Sequence, residues 1–276
     1  MSKWISNTIS YVILVIAAVL TLAPIGWAAL TSFKERTDIL VLKPLLVFQP
    51  TLRNYIILFA NEPPYYLWHV RVANSLFVCL ITVAVCLLMS SLAAYSFSRF
   101  DFWGSKSLPP FILSFRMIPP VCFLLPWYLI FLDLHLLDNP LSLILVYSIF
   151  TIPFDTWMLR GFFLAIPRDL DEAALTEGYS RLEILFKIVF PLAKSGIMIT
   201  TIFSFIFIFY EFMYAVVLTK LNWMTAPVAL SRFLSAYATE WGPMMAATMT
   251  ITIPLVIIMI VLRKHVITGL TLGAVK

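Results

Sequence analysis

The sequence predicts an all-α, polytopic membrane protein with six transmembrane helices. Of its 276 residues, 62% are hydrophobic and only 12% charged, a balance far from that of soluble domains. The apolar residues gather into six stretches, each close to the ~20 residues a helix needs to cross the hydrocarbon core. Lys and Arg are distributed unequally over the loops between them.

The expected spans are residues 9–30, 72–98, 108–132, 140–159, 196–220 and 244–262 of a single domain. The first follows Lys3 but outruns a signal-peptide core and lacks a small-x-small cleavage site, so it is expected to be a retained anchor. The third contains Arg116 and the fourth Asp155. With six spans, both termini fall on one side, and that side carries eleven of the Lys and Arg residues against seven opposite. The positive-inside rule then makes the termini cytoplasmic. The net charge of +5 is dispersed over membrane-flanking loops, which argues against nucleic acid as a partner. Cys79, Cys86 and Cys122 lie in apolar spans without metal-ligand spacing and read as small buried hydrophobes.

The external side is expected to hold a long first loop, 31–71, rich in Pro and Asn and ordered only against a neighbour. A short second loop spans 133–139, and an aromatic third loop runs from about 221 to 243. Inside, the long segment 162–195 carries much of the charge. Asp169, Asp171 and Glu172 suit the first turn of a helix, Gly178 ends it, and a second helix from Arg181 is expected to close at Pro191. The spacing predicts a helix, a glycine turn and a helix at the inner surface. Ala173 and Ala174 give a thin face that seats in a cleft, Glu172 offers a carboxylate to a basic partner, and Gly178 permits a sharp reversal.

The stretch Glu172-Ala173-Ala174-Leu175-Thr176-Glu177-Gly178, with Ile188 and Pro191 after it, resembles the cytoplasmic E-A-A-x-x-x-G loop of binding-protein-dependent ABC importer permeases. Nearly the whole chain resembles the maltose-type smaller permeases. The resemblance runs through Ala93-Ala94-Tyr95-Ser96-Phe97-Ser98-Arg99-Phe100, Met117-Ile118-Pro119, Pro126-Trp127-Tyr128, Leu136-Leu137-Asp138-Asn139, Ile166-Pro167 and the Gly269–Lys276 tail. Two departures stand out: Tyr210 sits where many relatives carry Asn beside the glutamate kept here as Glu211, and Tyr179 follows the loop glycine where a small residue is common.

The resemblance implies a type I ABC importer permease fold in the bacterial inner membrane that translocates a sugar or related polyol by alternating access. The partners it implies are a companion permease, two ATPase subunits that use ATP and Mg, and an extracytoplasmic solute-binding protein. Glu172–Gly178 then looks like the coupling helix held by an ATPase, with the carboxyl tail also turned toward the ATPases. No G-x-x-x-x-G-K-[ST] loop occurs, so the chain is expected to bind no cofactor and to be no enzyme. Isolated histidines without a nucleophile or metal cluster weigh against an intramembrane enzyme. The coupling motif weighs against a six-span scaffold, a channel or an exporter subunit.

Charge inside a membrane needs a partner. Counting at ~1.5 Å per residue puts Arg116 and Asp155 at similar depth, so an ion pair locking the third and fourth spans is expected, in preference to either group polarising the path. Glu211, with Tyr210 and Tyr214, fits two roles equally: lining the solute path, or bonding structurally to the companion permease. Asn222, Trp223, Phe233 and Tyr237 fit a binding-protein contact, either inserted into that protein or as plain docking surface.

Overall fold

The computed structural model describes residues 2–60, 67–234 and 239–272. Its elements are helices: α1 Ser2–Ser32, α2 Arg36–Ile39, α3 Arg53–Phe59, α4 Trp68–Arg99, α5 Leu108–Ser114, α6 Val121–Asp133, α7 Pro140–Leu164, α8 Asp169–Thr176, α9 Arg181–Ile184, α10 Phe190–Leu192, α11 Lys194–Phe209, α12 Met213–Leu218, α13 Ala226–Ser231 and α14 Trp241–Leu272. A 3₁₀ turn, Phe115–Met117, precedes the α5–α6 corner, and a π turn, Leu185–Val189, joins α9 to α10.

Among the described residues four helical stretches are long and apolar enough to cross a membrane: Asn7–Ser32, Trp68–Arg99, Pro140–Leu164 and Trp241–Arg263. The expected third span is not one straight helix. Leu108–Met117 meets Val121–Asp133 at 92°. Ile118, ahead of Pro119 and Pro120, is extended at ψ 127°, as the clash of a following proline ring dictates. The expected fifth span is also interrupted, with α11 ending at Phe209 and α12 starting at Met213. Pro191 lies one residue before the end, at Leu192, of the helical run that starts at Arg181. It lies inside α10, and the chain turns by 85° between Leu192 and Lys194. The carbonyl four residues before Pro191 belongs to Lys187, inside the π turn, whose wider i→i+5 turn makes room for the ring.

The chain divides into two compact units. The first comprises Met1–Val70 with Ala229–Ile253. Contrary to the expectation for the first loop, its described part is held by the chain itself. Asn54 Nδ2 donates to the carbonyls of Ser32 and Lys34, both at 2.9 Å. The nearly buried Lys34 ammonium donates to Leu45 O at 2.7 Å and sits 4.2 Å from the Trp27 ring centroid. Arg36 pairs with Glu240 at 2.9 Å. Gly242 is required here because a Cβ would lie 2.4 Å from Asn54 Oδ1. The most apolar window of α1 buries none of its residues within the chain, the surface expected of a helix covered by lipid or another subunit.

The second unit comprises Arg71–Val228 with Pro254–Lys276. Here α4, α7 and α11 pack closely: Ser90 Oγ donates to Ile152 O at 3.2 Å, and the Cys79 thiol donates to Phe205 O at 3.6 Å. Cys79 and Cys86 are buried as expected, whereas Cys122, the second residue of α6, is exposed. Asn139 caps α7 by accepting from Leu141 N at 2.9 Å, with Pro140 at the first helical position.

Asp138, left-handed at φ 54°, clamps the loop after α12. Its carboxylate accepts from the N–H groups of Lys220 (3.0 Å), Asn222 (3.0 Å) and Trp223 (2.9 Å). Partial burial pushes its pKa up, but these donors outweigh burial and hold it below the ordinary carboxylate range. A depressed folded value means that the contribution is present above the unfolded pKa of about 3.9 and is lost as pH falls through the folded value. Asp138→Asn should therefore flatten the acid side of the profile of Tm against pH, measured in detergent between about pH 5 and 3. A variant that loses Tm in acid as steeply as the native chain would show that the clamp does not act through its charge.

Candidate functional site

The segment 162–195 builds its helix reversal from local chemistry. Asp169, Asp171 and Glu172 stand in the first turn of α8, where carboxylates complement the helix dipole. At the other end Gly178 adopts φ 92°. Gly178 N donates to Leu175 O at 3.0 Å and Tyr179 N to Ala174 O at 3.1 Å, the paired bonds of a Schellman motif. Ser180 then opens α9 with a capping box to Glu183. The Glu183 carboxyl is held down to about 2, first by Lys187 at 2.7 Å and then by Ser180. The sequence reading missed this box, although Ser180 and Glu183 have the required spacing.

The two alanines of the motif do not share a face. Ala173 and Glu172 are exposed, while Ala174 packs into a core with Tyr95, Phe163, Ile184 and Leu185. The surface α8 offers to a partner is therefore Glu172, Ala173, Thr176 and Glu177, with Leu170 exposed beside it. Asp171 turns the opposite way, fully into the protein. Arg99 Nε donates to Asp171 Oδ2 at 2.9 Å, and the Tyr95 hydroxyl donates to the same oxygen at 2.9 Å.

A second constellation surrounds the two breaks in the helices. A cavity of about 240 Å³ is lined by Arg116, Tyr147, Phe150, Glu211 and Tyr214, among others. Glu211 accepts from the N–H groups of Tyr214 (3.0 Å) and Ala215 (3.3 Å) and so satisfies the open N-terminus of α12. The Tyr214 hydroxyl donates to Pro120 O at 3.1 Å, which ties α12 to the α5–α6 corner, and its ring stacks on Phe150. Tyr210, expected beside them, is not part of this lining; its ring stands edge-on to Phe209.

The expected ion pair between Arg116 and Asp155 is not formed among the described residues. The Arg116 guanidinium lies between the rings of Phe207 (4.3 Å) and Phe154 (4.7 Å). Asp155 Oδ1 accepts from the Ser204 hydroxyl at 2.7 Å, joining α7 to α11 instead. The physical reason is the 92° corner directly after Met117, which removes the straight third helix on which the depth count rested.

Of the expected binding-protein contacts, Asn222 is exposed and Trp223 half-buried with its ring against Phe77. Phe233 is instead buried, edge-on to Trp68, so its side chain fills a core. Tyr237 lies outside the described residues. The segment around Asn222 is sewn to the start of α4, where Asn74 Nδ2 donates to the carbonyls of Asn222 (2.8 Å) and Met224 (3.2 Å). Among the described residues no group of His, Cys, Asp and Glu is arranged to hold a metal.

Long apolar helices with exposed outer surfaces, two helix breaks and a helix reversal at Gly178 are the features of a multi-pass membrane protein. The chain belongs to the family of binding-protein-dependent transport system inner membrane components, whose family model matches residues 86–271. It is 32% identical to the trehalose/maltose transport system permease protein MalG of Thermococcus litoralis, over 95% of this chain and 94% of that one. It is 33% identical to the sulfoquinovosyl glycerol transport system permease protein SmoH of Agrobacterium fabrum, over 92% and 89% of the two chains. Among solved structures, a chain of a bacterial ABC transporter involved in import of the acidic polysaccharide alginate superposes with a TM-score of 0.78 at 24% identity, covering 96% of this chain and 98% of that one.

Proposed function

We propose that this chain is the permease subunit of an ATP-driven importer that carries a sugar or related polyol across the bacterial inner membrane. The observation that supports this reading most strongly is α8. Its Schellman reversal at Gly178 and its exposed Glu172–Ala173 face lie within the region matched by the family model. A relative transporting trehalose and maltose and another transporting sulfoquinovosyl glycerol support a carbohydrate solute.

In this reading α5 with α6 forms the third span and α11 with α12 the fifth, Arg181–Leu192 stays with the coupling segment, the spans number six, and both termini are cytoplasmic. A companion permease covers the apolar surface that α1 leaves open. Two ATPase subunits, which bind ATP and Mg in place of any cofactor on this chain, hold the coupling helices through Glu172, Ala173 and Gly178, with Ala174 and Pro191 shaping the segment from within. ATP-driven closure draws these helices together and opens the spans toward an extracytoplasmic binding protein docked near Asn222 and Trp223. Glu211 and Tyr214 line the solute path.

Co-expression with an ATPase and a companion permease tests the reading. The native chain is expected to co-purify with the ATPase and to support hydrolysis that rises when solute-loaded binding protein is added. A chain that reaches the membrane yet retains no ATPase would sink it.

A further inference from the structure

Adjacent residues of α8 face opposite ways: Glu172 is exposed, whereas Asp171 is 2% exposed. The inner face is anchored by charge. Arg99, the last residue of α4, pairs with Asp171 at 2.9 Å, and both side chains are only 3% exposed. Arg99 Nη1 also donates to Phe163 O at 3.1 Å, near the end of α7. Tyr95, one turn earlier on α4, adds its hydroxyl to Asp171 Oδ2. Arg168, just before α8, donates from Nη2 to Ser98 O at 3.0 Å. One carboxylate thus joins the eight-residue α8 to the 32-residue α4, and Arg99 extends the link to the 25-residue α7.

We propose that Asp171, Arg99 and Tyr95 are positioning residues that transmit movement of α8 to the spans α4 and α7. This rests on the coupling reading of α8 above and adds the internal half of the linkage. An apolar contact alone lets a short helix slide or roll, because packing has little directional preference. A buried ion pair does not separate without leaving an uncompensated charge away from water. Asp171 and Arg99 therefore move together, and a push on Glu172 and Ala173 reaches the end of α4 instead of being absorbed by the connecting loops. Tyr95 fixes the angle at which the carboxylate is presented.

The test uses the complete transporter, with companion permease, ATPases and binding protein, reconstituted in liposomes. Asp171→Asn and Arg99→Gln are expected to retain the ATPase on co-purification but to move about tenfold less solute per ATP hydrolysed. Arg99→Gln combined with Asp171→Asn should regain most of that ratio, since two amides bond to each other without a stranded charge. Tyr95→Phe, which keeps the ion pair, should lower the ratio by about two- to threefold. An unchanged ratio in all these variants would overturn the linkage. So would ATPase retention falling in step with transport while the complexes that remain move solute per ATP as the native ones do. If the native chain itself retains no ATPase, the coupling reading falls and the linkage with it.

Discussion

Gly178→Pro should abolish solute uptake while leaving the chain in the membrane. The residue sits at φ 92°, whereas a proline ring holds φ near −65°, so the Schellman reversal cannot form. The substitution also removes the N–H that bonds Leu175 O. Together these effects cost on the order of 3 kcal/mol or more locally, enough to swing the exposed face of α8 away from the position set by the buried face. Gly178→Ala provides the control. No atom lies within 4 Å of where its Cβ would stand, so only the left-handed backbone is penalised, by roughly 1–2 kcal/mol. The expected order of solute-stimulated ATP hydrolysis is native, then Ala partly reduced, then Pro at the unstimulated level. Immunoblots of the membrane fraction should be equal across the three. Stimulation in the Pro variant equal to the native value would remove α8 as the coupling element.

The reversal at Gly178 was legible from sequence because every interaction that makes it is local: acids in the first turn, a glycine beyond the last, and bonds between residues three and five apart. The inner face is less legible: Asp171 is expected only as a first-turn acid beside Glu172, and Ala174 beside Ala173 on the partner face, although the helical period distinguishes them. Asp171, Ala174 and Leu175 fall three and four residues apart, the spacing of one helical face, and this separates Asp171 from its neighbour Glu172. What no local pattern supplies is Arg99 as the partner, since it lies 72 residues away. Straight spans drawn from hydropathy hid both breaks. The Pro119–Pro120 pair was a visible signal, but an apolar count treats a corner as more hydrophobic length. The pairing of Arg116 with Asp155 failed for that reason. Phe233 was read as surface because aromatic residues in an external loop suit a contact equally well from either side of a fold, and only packing against Trp68 decides between them.

Glu211→Gln should lower solute uptake by about tenfold with ATPase association unchanged. The glutamate was recognisable in sequence as a charge inside an apolar run, yet part of its work is local: its two oxygens receive the Tyr214 and Ala215 N–H groups that α12 leaves open. A glutamine retains one acceptor oxygen and the length of the side chain, so the cap is weakened by no more than about 0.5–2 kcal/mol. The charge, by contrast, is lost entirely, and it lines a cavity shared with the Arg116 guanidinium and the Tyr147 and Tyr214 rings. A solute hydroxyl donates to a carboxylate more strongly than to an amide oxygen, so a direct contact predicts a loss of uptake beyond the loss of stability. Measuring uptake and Tm on the same reconstituted variant separates the two roles. Uptake that falls while Tm holds places Glu211 in the solute path; native uptake with a lowered Tm leaves it as the cap of α12 alone.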